Sequence, residues 1–130
     1  MLIDLLLILT IKVFQLSLRI LPENYQQGTG AFFGRVAFKI LKKRRNVAIS
    51  NILRAFKHYT EREASEIALR SFEKLGINFV EALLLPYIPT KDYEKRFSIE
   101  HRDYMDRALA LNKGVIALVF HYANWEIMGI

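Results

Sequence analysis

The residues with the clearest capacity for chemistry are a histidine and a glutamate five positions apart, His121 and Glu126, in a chain of 130 residues. Asn124 lies between them and suits the N-cap of a helix, so Glu126 falls in the first turn of that helix. A carboxylate there can accept a hydrogen bond from one imidazole nitrogen and fix its tautomer. The other nitrogen can then take a proton from a hydroxyl, which is a weak nucleophile without such a base. The same spacing also arises by chance on ordinary structural elements, so spacing alone leaves both interpretations open.

The element that must position this pair is a short apolar run that begins after Gly114 and ends at Phe120. Its content of β-forming residues predicts a strand that is buried on both faces. Open α/β sheets bind their ligands at the carboxyl ends of such strands, where His121 would lie. The predicted fold class is therefore α/β.

The stretch from Gly114 to Glu126 resembles the H-x-x-x-x-D/E motif of the glycerolipid-type acyltransferases. It is most similar to the bacterial lipid A (lauroyl/myristoyl) acyltransferase branch, where a strand of the type G-V-I-L-L runs into H-x-x-N-W-E. His121, Asn124, Trp125 and Glu126 all match that pattern. The segment from Arg45 to Phe56, together with Ser71-Phe72 and Leu75-Gly76, is similar to the helical region before the motif in the same branch.

This resemblance implies O-acyl transfer from an acyl carrier protein thioester, or from acyl-CoA, to a hydroxyl of a lipid A precursor at the cytoplasmic face of the inner membrane. His121 would be the general base, Glu126 would orient it and stabilise the imidazolium, Asn124 would cap the motif helix, and Trp125 would pack nearby. The same motif also fits an acyltransferase with another lipid acceptor, a lysophospholipid or a phosphoinositide mannoside. In the resembled family the polypeptide continues well past this motif, so the chain is interpreted as an amino-terminal part. A truncated, inactive membrane-binding remnant is a further alternative.

The composition excludes several other kinds of site. The chain has no cysteine, which excludes disulfides and thiolate chemistry. His58, His101 and His121 are far apart and lack the spacing of metal ligands, so no metal site is expected. No glycine-rich phosphate loop is present, and no cofactor is expected.

Positive charge is concentrated in the amino-terminal half of the chain, whose net charge is +6 overall. Residues 1–58 carry ten Lys and Arg against two acidic residues, whereas residues 59–130 carry nine against eleven. A basic run stands at Lys39, Lys42, Lys43, Arg44 and Arg45. Such runs are commonly solvated helix faces, but beside an apolar segment they indicate a membrane surface with anionic headgroups. No nucleic-acid-binding motif accompanies the charge, so nucleic acid is not an expected partner.

The apolar segment is residues 2–21, which predicts a membrane-anchor helix. Its polar residues, Asp4, Lys12, Gln15 and Arg19, fall within an arc of roughly 80° at about 100° per residue. Lys12 at mid-span counts against a simple spanning helix. A helix in the membrane interface, a tilted anchor whose polar stripe packs on protein, and a buried helix of a soluble protein are the alternatives.

Three regions follow from these signals: the anchor (1–21), a basic and amphipathic helical region (22–90), and the start of an α/β domain (91–130). Pro22 ends the first helix, and Gly28, Gly30 and Gly34 predict a flexible turn before a second helix from Phe32 to about Phe56. Thr60 and Glu63 form a capping box that opens a third helix, which ends before Pro86. A short strand near Phe97 and Ile99 and a helix over 103–111 complete the prediction.

Overall fold

The computed structural model describes residues 2–92 and 97–120. Helix α1 spans Leu2–Ile20, α2 Glu23–Ile40, α3 Lys42–Ala55 and α4 Glu61–Leu84. Two 3₁₀ turns follow at Leu85–Tyr87 and Thr90–Asp92, and helix α5 spans Arg102–Ala110.

The predicted α/β class is wrong for the described residues, in which every regular element is helical. Residues 114–120 have no strand assignment, and Ile116 is 99% exposed. The short strand predicted near Phe97 and Ile99 is also wrong, because residues 97–99 are irregular. A strand exists only through hydrogen bonds to a neighbouring strand. The described part of the chain offers no such neighbour, so β-forming residue types alone do not produce a sheet.

Helices α2 and α4 make the most extensive contact between any two elements of the described chain, and they cross with their backbones in direct contact. Gly30 and Gly34 of α2 are buried against Gly76 of α4. A Cβ atom added at Gly30 would lie 2.6 Å from the Cα of Ile77, and one added at Gly34 would overlap the carbonyl of Phe72. The absence of side chains at these positions is therefore what permits this crossing.

The glycines consequently lie within a helix, and the prediction of a flexible turn at Gly28, Gly30 and Gly34 is wrong. The second helix, predicted as one element from Phe32 to Phe56, is in fact two. Leu41 breaks it with a ψ of 59°, and the chain restarts as α3 at Lys42. The contacts beside the crossing are an edge-to-face pair of Phe38 and Phe72 and an ion pair of Arg35 and Glu73 at 2.9 Å.

Helix α1 packs against the carboxyl-terminal half of α4 through a small apolar cluster. Leu18, only 2% exposed, packs with Val80 and Leu84, and Phe14 borders them. The end of α1 at Ile20, before Pro22, is as predicted. The side-chain amide of Gln26 donates hydrogen bonds to the carbonyl oxygens of Leu18 and Leu21, so the end of α1 is fastened to α2.

No helix of the described residues is sufficiently long and apolar to cross a membrane. In α1 the cause is the charge of Asp4, Lys12 and Arg19 within 19 residues. The membrane-anchor helix predicted for residues 1–21 is thus a helix over Leu2–Ile20. Of the forms of anchor that the sequence left open, the one that spans the bilayer is wrong.

The capping box at the start of α4 is confirmed in full. The Thr60 amide donates a 2.8 Å hydrogen bond to the Glu63 carboxylate, and the Glu63 amide donates to the Thr60 hydroxyl. The hydrogen bond from the Thr60 amide is the main cause of a Glu63 pKa below its usual value. A further hydrogen bond, from the Thr60 hydroxyl to the Glu63 carboxylate, lowers that pKa as well. Helix α5 also matches its prediction to within one residue at each end, and Asn112 and Gly114 follow it with positive φ.

Replacing Gly34 by Ala should weaken the α2–α4 crossing, because the new methyl group meets the backbone of Phe72 and Glu73. Overpacking of this kind typically costs about 1–3 kcal/mol of unfolding free energy. Gly28→Ala is the matched control in the same helix, since a Cβ there has nothing within 4 Å. That substitution should stabilise the protein by about 0.5–1 kcal/mol, because alanine is the better helix former. Urea unfolding followed by circular dichroism measures both, and equal stability of the two variants would contradict the close crossing.

Candidate functional site

The predicted catalytic pair, His121 and Glu126, lies outside the described residues, together with Asn124 and Trp125. Their proposed roles therefore remain predictions. The described chain reaches position 120 as an apolar segment that is exposed to different degrees, with Val115 39% and Phe120 77% accessible.

Helix α5, which precedes that segment, is held mainly by contacts within itself. Arg102 and Asp106 form an ion pair at 3.8 Å, and Arg107 pairs with Asp103 one turn earlier. The α5 helix has no buried residue. Helix α5, the last described helix before the motif, is thus stabilised by local contacts, and its apolar side chains stay accessible.

The basic segment, defined as Lys39, Lys42, Lys43, Arg44 and Arg45, spans the break between α2 and α3. Its first four side chains are exposed, whereas Arg45 is half-buried with its guanidinium 5.7 Å from the ring centre of Phe38. The first turn of α3 holds no acidic residue, and no side chain caps it. Since the amino-terminal end of a helix already carries partial positive charge, these cations make this end strongly attractive to anions.

The polar stripe of α1 lies against the 3₁₀ turn that follows α4. Lys12 Nζ donates to the Tyr87 hydroxyl at 3.1 Å, and that hydroxyl donates to Gln15 Oε1 at 3.0 Å. The Gln15 amide nitrogen in turn donates to the carbonyl of Leu83 at 2.9 Å, and the Arg19 guanidinium lies 4.6 Å from the Tyr87 ring centre. We call Lys12, Gln15, Arg19 and Tyr87 the Tyr87 cluster. It corresponds to the alternative in which the stripe of α1 packs on protein.

Apart from Phe14 and Leu18, the large apolar side chains of α1 face outward. Most of its large aliphatic side chains are about half or more exposed: Ile3, Leu5, Leu6, Leu7, Ile8, Leu9, Ile11, Val13, Leu16 and Ile20. Gln15 is meanwhile only 7% exposed. Over most of its surface helix α1 is therefore inverted relative to a surface helix of a water-soluble protein, with aliphatic side chains outward and the polar side chain of Gln15 buried.

Sequence reasoning missed Tyr87 and the buried glycines. The four-residue spacing of Gly30 and Gly34 is a recognisable signal for close helix packing, although that signal is best established for membrane helices. Nothing local marks Tyr87, whose hydrogen-bond partners lie more than 70 positions earlier. Among residues 2–92 and 97–120, no group of three or more histidines, aspartates and glutamates could hold a metal ion.

A known protein family matches nearly the whole chain. Residues 3–130 match the family described as bacterial lipid A biosynthesis acyltransferase. The chain is 28% identical over 100 residues to the lipid A biosynthesis palmitoleoyltransferase of Escherichia coli K12 and equally to a lipid A biosynthesis acyltransferase of Shigella flexneri. These alignments cover 77% of this chain and 33% of each relative.

A third relative, the lipid A biosynthesis lauroyltransferase of Escherichia coli K12, is 20% identical over 106 residues, which is 82% of this chain and 34% of the relative. The chain thus spans about a third of the length of the curated relatives that it matches. No solved structure matches it.

The Tyr87 cluster predicts the effect of removing one hydroxyl. Tyr87→Phe leaves the Gln15 carbonyl oxygen without its donor in a buried position, which should cost about 1–3 kcal/mol of unfolding free energy. Tyr25→Phe is the matched control, because Tyr25 is 61% exposed and its hydroxyl has no hydrogen-bond partner among the described residues. Hydrogen exchange should show faster exchange in α1 for Tyr87→Phe alone. Unchanged exchange in both variants would show that the cluster does not hold α1.

Proposed function

Because the chain belongs to the bacterial lipid A biosynthesis acyltransferase family, we propose that its polypeptide moves a fatty acyl group from an acyl carrier protein thioester to a hydroxyl of a lipid A precursor. The observation that carries this proposal is the H-x-x-N-W-E sequence at 121–126, which lies inside the matched residues 3–130. The relatives, a palmitoleoyltransferase and a lauroyltransferase of lipid A biosynthesis, support the same reaction class.

In the proposed reaction His121 removes the proton from the acceptor hydroxyl as its oxygen attacks the thioester carbonyl. Glu126 holds the imidazole in the required tautomer and stabilises the imidazolium that forms. Collapse of the tetrahedral intermediate forms the ester and breaks the carbon–sulfur bond. The imidazolium then returns the proton to the departing thiolate, so the base is regenerated without a covalent acyl-enzyme. Asn124 would cap the motif helix, and Trp125 would pack beside it.

We also propose that the polypeptide works at the cytoplasmic face of the inner membrane, bound at the surface of the bilayer. The outward aliphatic side chains of α1 are suited to the boundary between headgroups and acyl chains, since burial there removes apolar surface from water. The basic segment adds attraction of about 1 kcal/mol for each Lys or Arg near an anionic surface. The Tyr87 cluster supports this arrangement, because it gives Lys12, Gln15 and Arg19 of the polar stripe partners on the protein.

Substitution of the predicted base tests the reaction. His121→Ala should lower acyl transfer by about 10²–10⁴-fold, the usual contribution of a general base. Transfer from acyl carrier protein thioester to a lipid A precursor is measured with the polypeptide as the cell makes it. His58→Ala is the control, because His58 contacts the Tyr59 ring in a tilted arrangement just before α4 and has no proposed role. Equal activity of wild type and His121→Ala would refute the mechanism.

Substitution in the basic segment tests the membrane proposal. Lys42→Gln/Lys43→Gln should weaken binding to phosphatidylglycerol vesicles by about tenfold or more at low salt, from the loss of roughly 1 kcal/mol per charge. Binding to phosphatidylcholine vesicles should change little. Arg70→Gln/Lys74→Gln removes the same charge from exposed positions of α4 and is the matched control. Equal weakening by both pairs in a co-sedimentation assay would show that only net charge matters.

A further inference from the structure

An open groove lies between α3 and the start of α4, with a cavity volume of about 480 Å³. One face of α3 supplies most of its lining: Asn46, Ile49, Ser50, Leu53 and Arg54. Lys57, just after α3, and Glu61, the first residue of α4, complete it. The helical spacing of the α3 residues places apolar and polar side chains side by side along the same groove.

The charged groups of the groove are unengaged. Arg54, Lys57 and Glu61 are exposed, and within the described part of the chain none of them forms an ion pair or a side-chain hydrogen bond. This contrasts with Arg62, one residue further along, which pairs with Glu66 at 3.6 Å. Two cations and one carboxylate thus line a single groove without neutralising one another through direct contact.

The floor of the groove has a different character. Ile49 and Leu53 are half-buried, so each keeps an accessible apolar surface within the groove. The Ser50 hydroxyl, also half-buried, makes no hydrogen bond to any described residue. A ligand that matches this lining needs an anion, a hydrogen-bonding cation and an apolar portion.

We propose that this groove binds the headgroup of a zwitterionic phospholipid with a primary ammonium, of the phosphatidylethanolamine type. Arg54 and Lys57 take the phosphate, for which a guanidinium and an ammonium are both suited. The Glu61 carboxylate accepts hydrogen bonds from the lipid ammonium. Ile49 and Leu53 contact the glycerol and the first methylenes of the acyl chains.

The carboxylate decides between this ligand and a purely anionic one. A phosphatidic acid headgroup would bring negative charge toward Glu61, whereas an ethanolamine headgroup supplies the opposite charge beside it. A choline headgroup has the same net charge but no N–H to donate. Selectivity for a primary ammonium is therefore the signature of the proposed site.

Calorimetric titration of the chain in uncharged dodecyl maltoside micelles tests this, with dihexanoyl phosphatidylethanolamine as the probe. Saturable binding is expected, and Arg54→Gln/Lys57→Gln should weaken it about tenfold or more through loss of charge-assisted hydrogen bonds. Arg70→Gln/Lys74→Gln, which removes one Arg and one Lys from exposed positions of α4 outside the groove lining, is the matched control and should bind as wild type does. Circular dichroism checks that both variants keep their helices.

Two further comparisons separate the parts of the ligand. Glu61→Gln should abolish the preference for the ethanolamine lipid over dihexanoyl phosphatidylcholine, while Glu66→Gln should leave it intact. Soluble O-phosphoethanolamine should bind more weakly than the lipid, because it lacks the apolar portion. The proposal would be overturned by any of three results. These are the absence of saturable binding, equal weakening by the Arg54/Lys57 double substitution and its control, and equal affinity for phosphoethanolamine and the lipid. None of these measurements involves turnover, so such a result would leave the acyl-transfer proposal unaffected.

Discussion

The described structure depends on the contact between the backbones of α2 and α4 at Gly30, Gly34 and Gly76. Three positions without side chains bring the two helices close enough for the Arg35–Glu73 ion pair and the Phe38–Phe72 ring contact to form beside the crossing. Helix α4 also contacts α3, and its second half packs against α1. The apolar cluster around Leu18 is small, so close packing of backbone atoms takes a larger share of the stabilisation than in a typical globular core.

Local chemistry made some of these elements predictable from the sequence. The capping box of Thr60 and Glu63 and the stop at Pro22 act within a few residues, and the structure confirms both. The break at Leu41 carries no proline or glycine, so nothing in its neighbourhood distinguishes it from a continuous helix. The glycines of α2 were misjudged as a turn because the contact that they permit is made by α4, and their four-residue spacing was the one local sign of it.

The same distinction between local and distant causes explains the error over fold class. The run from Val115 to Phe120 has the residue types of a strand, but a strand is completed by hydrogen bonds to another segment. The candidate site shares this property. The motif at 121–126 was found by its spacing, and the Tyr87 cluster was not, because Tyr87 and Gln15 are 72 positions apart.

The inverted arrangement of α1 has a consequence for how its sequence can vary. An outward position such as Leu6 or Val13 meets no complementary surface on the protein, so exchange among Leu, Ile and Val there changes little besides helix propensity. Gln15 and Leu18 occupy shaped positions with fixed partners, and few other side chains would satisfy them. Among related sequences, the outward residues of α1 should therefore vary widely while staying apolar, and its few inward residues should stay the same. A comparison by identity alone would underrate how closely two such helices are related.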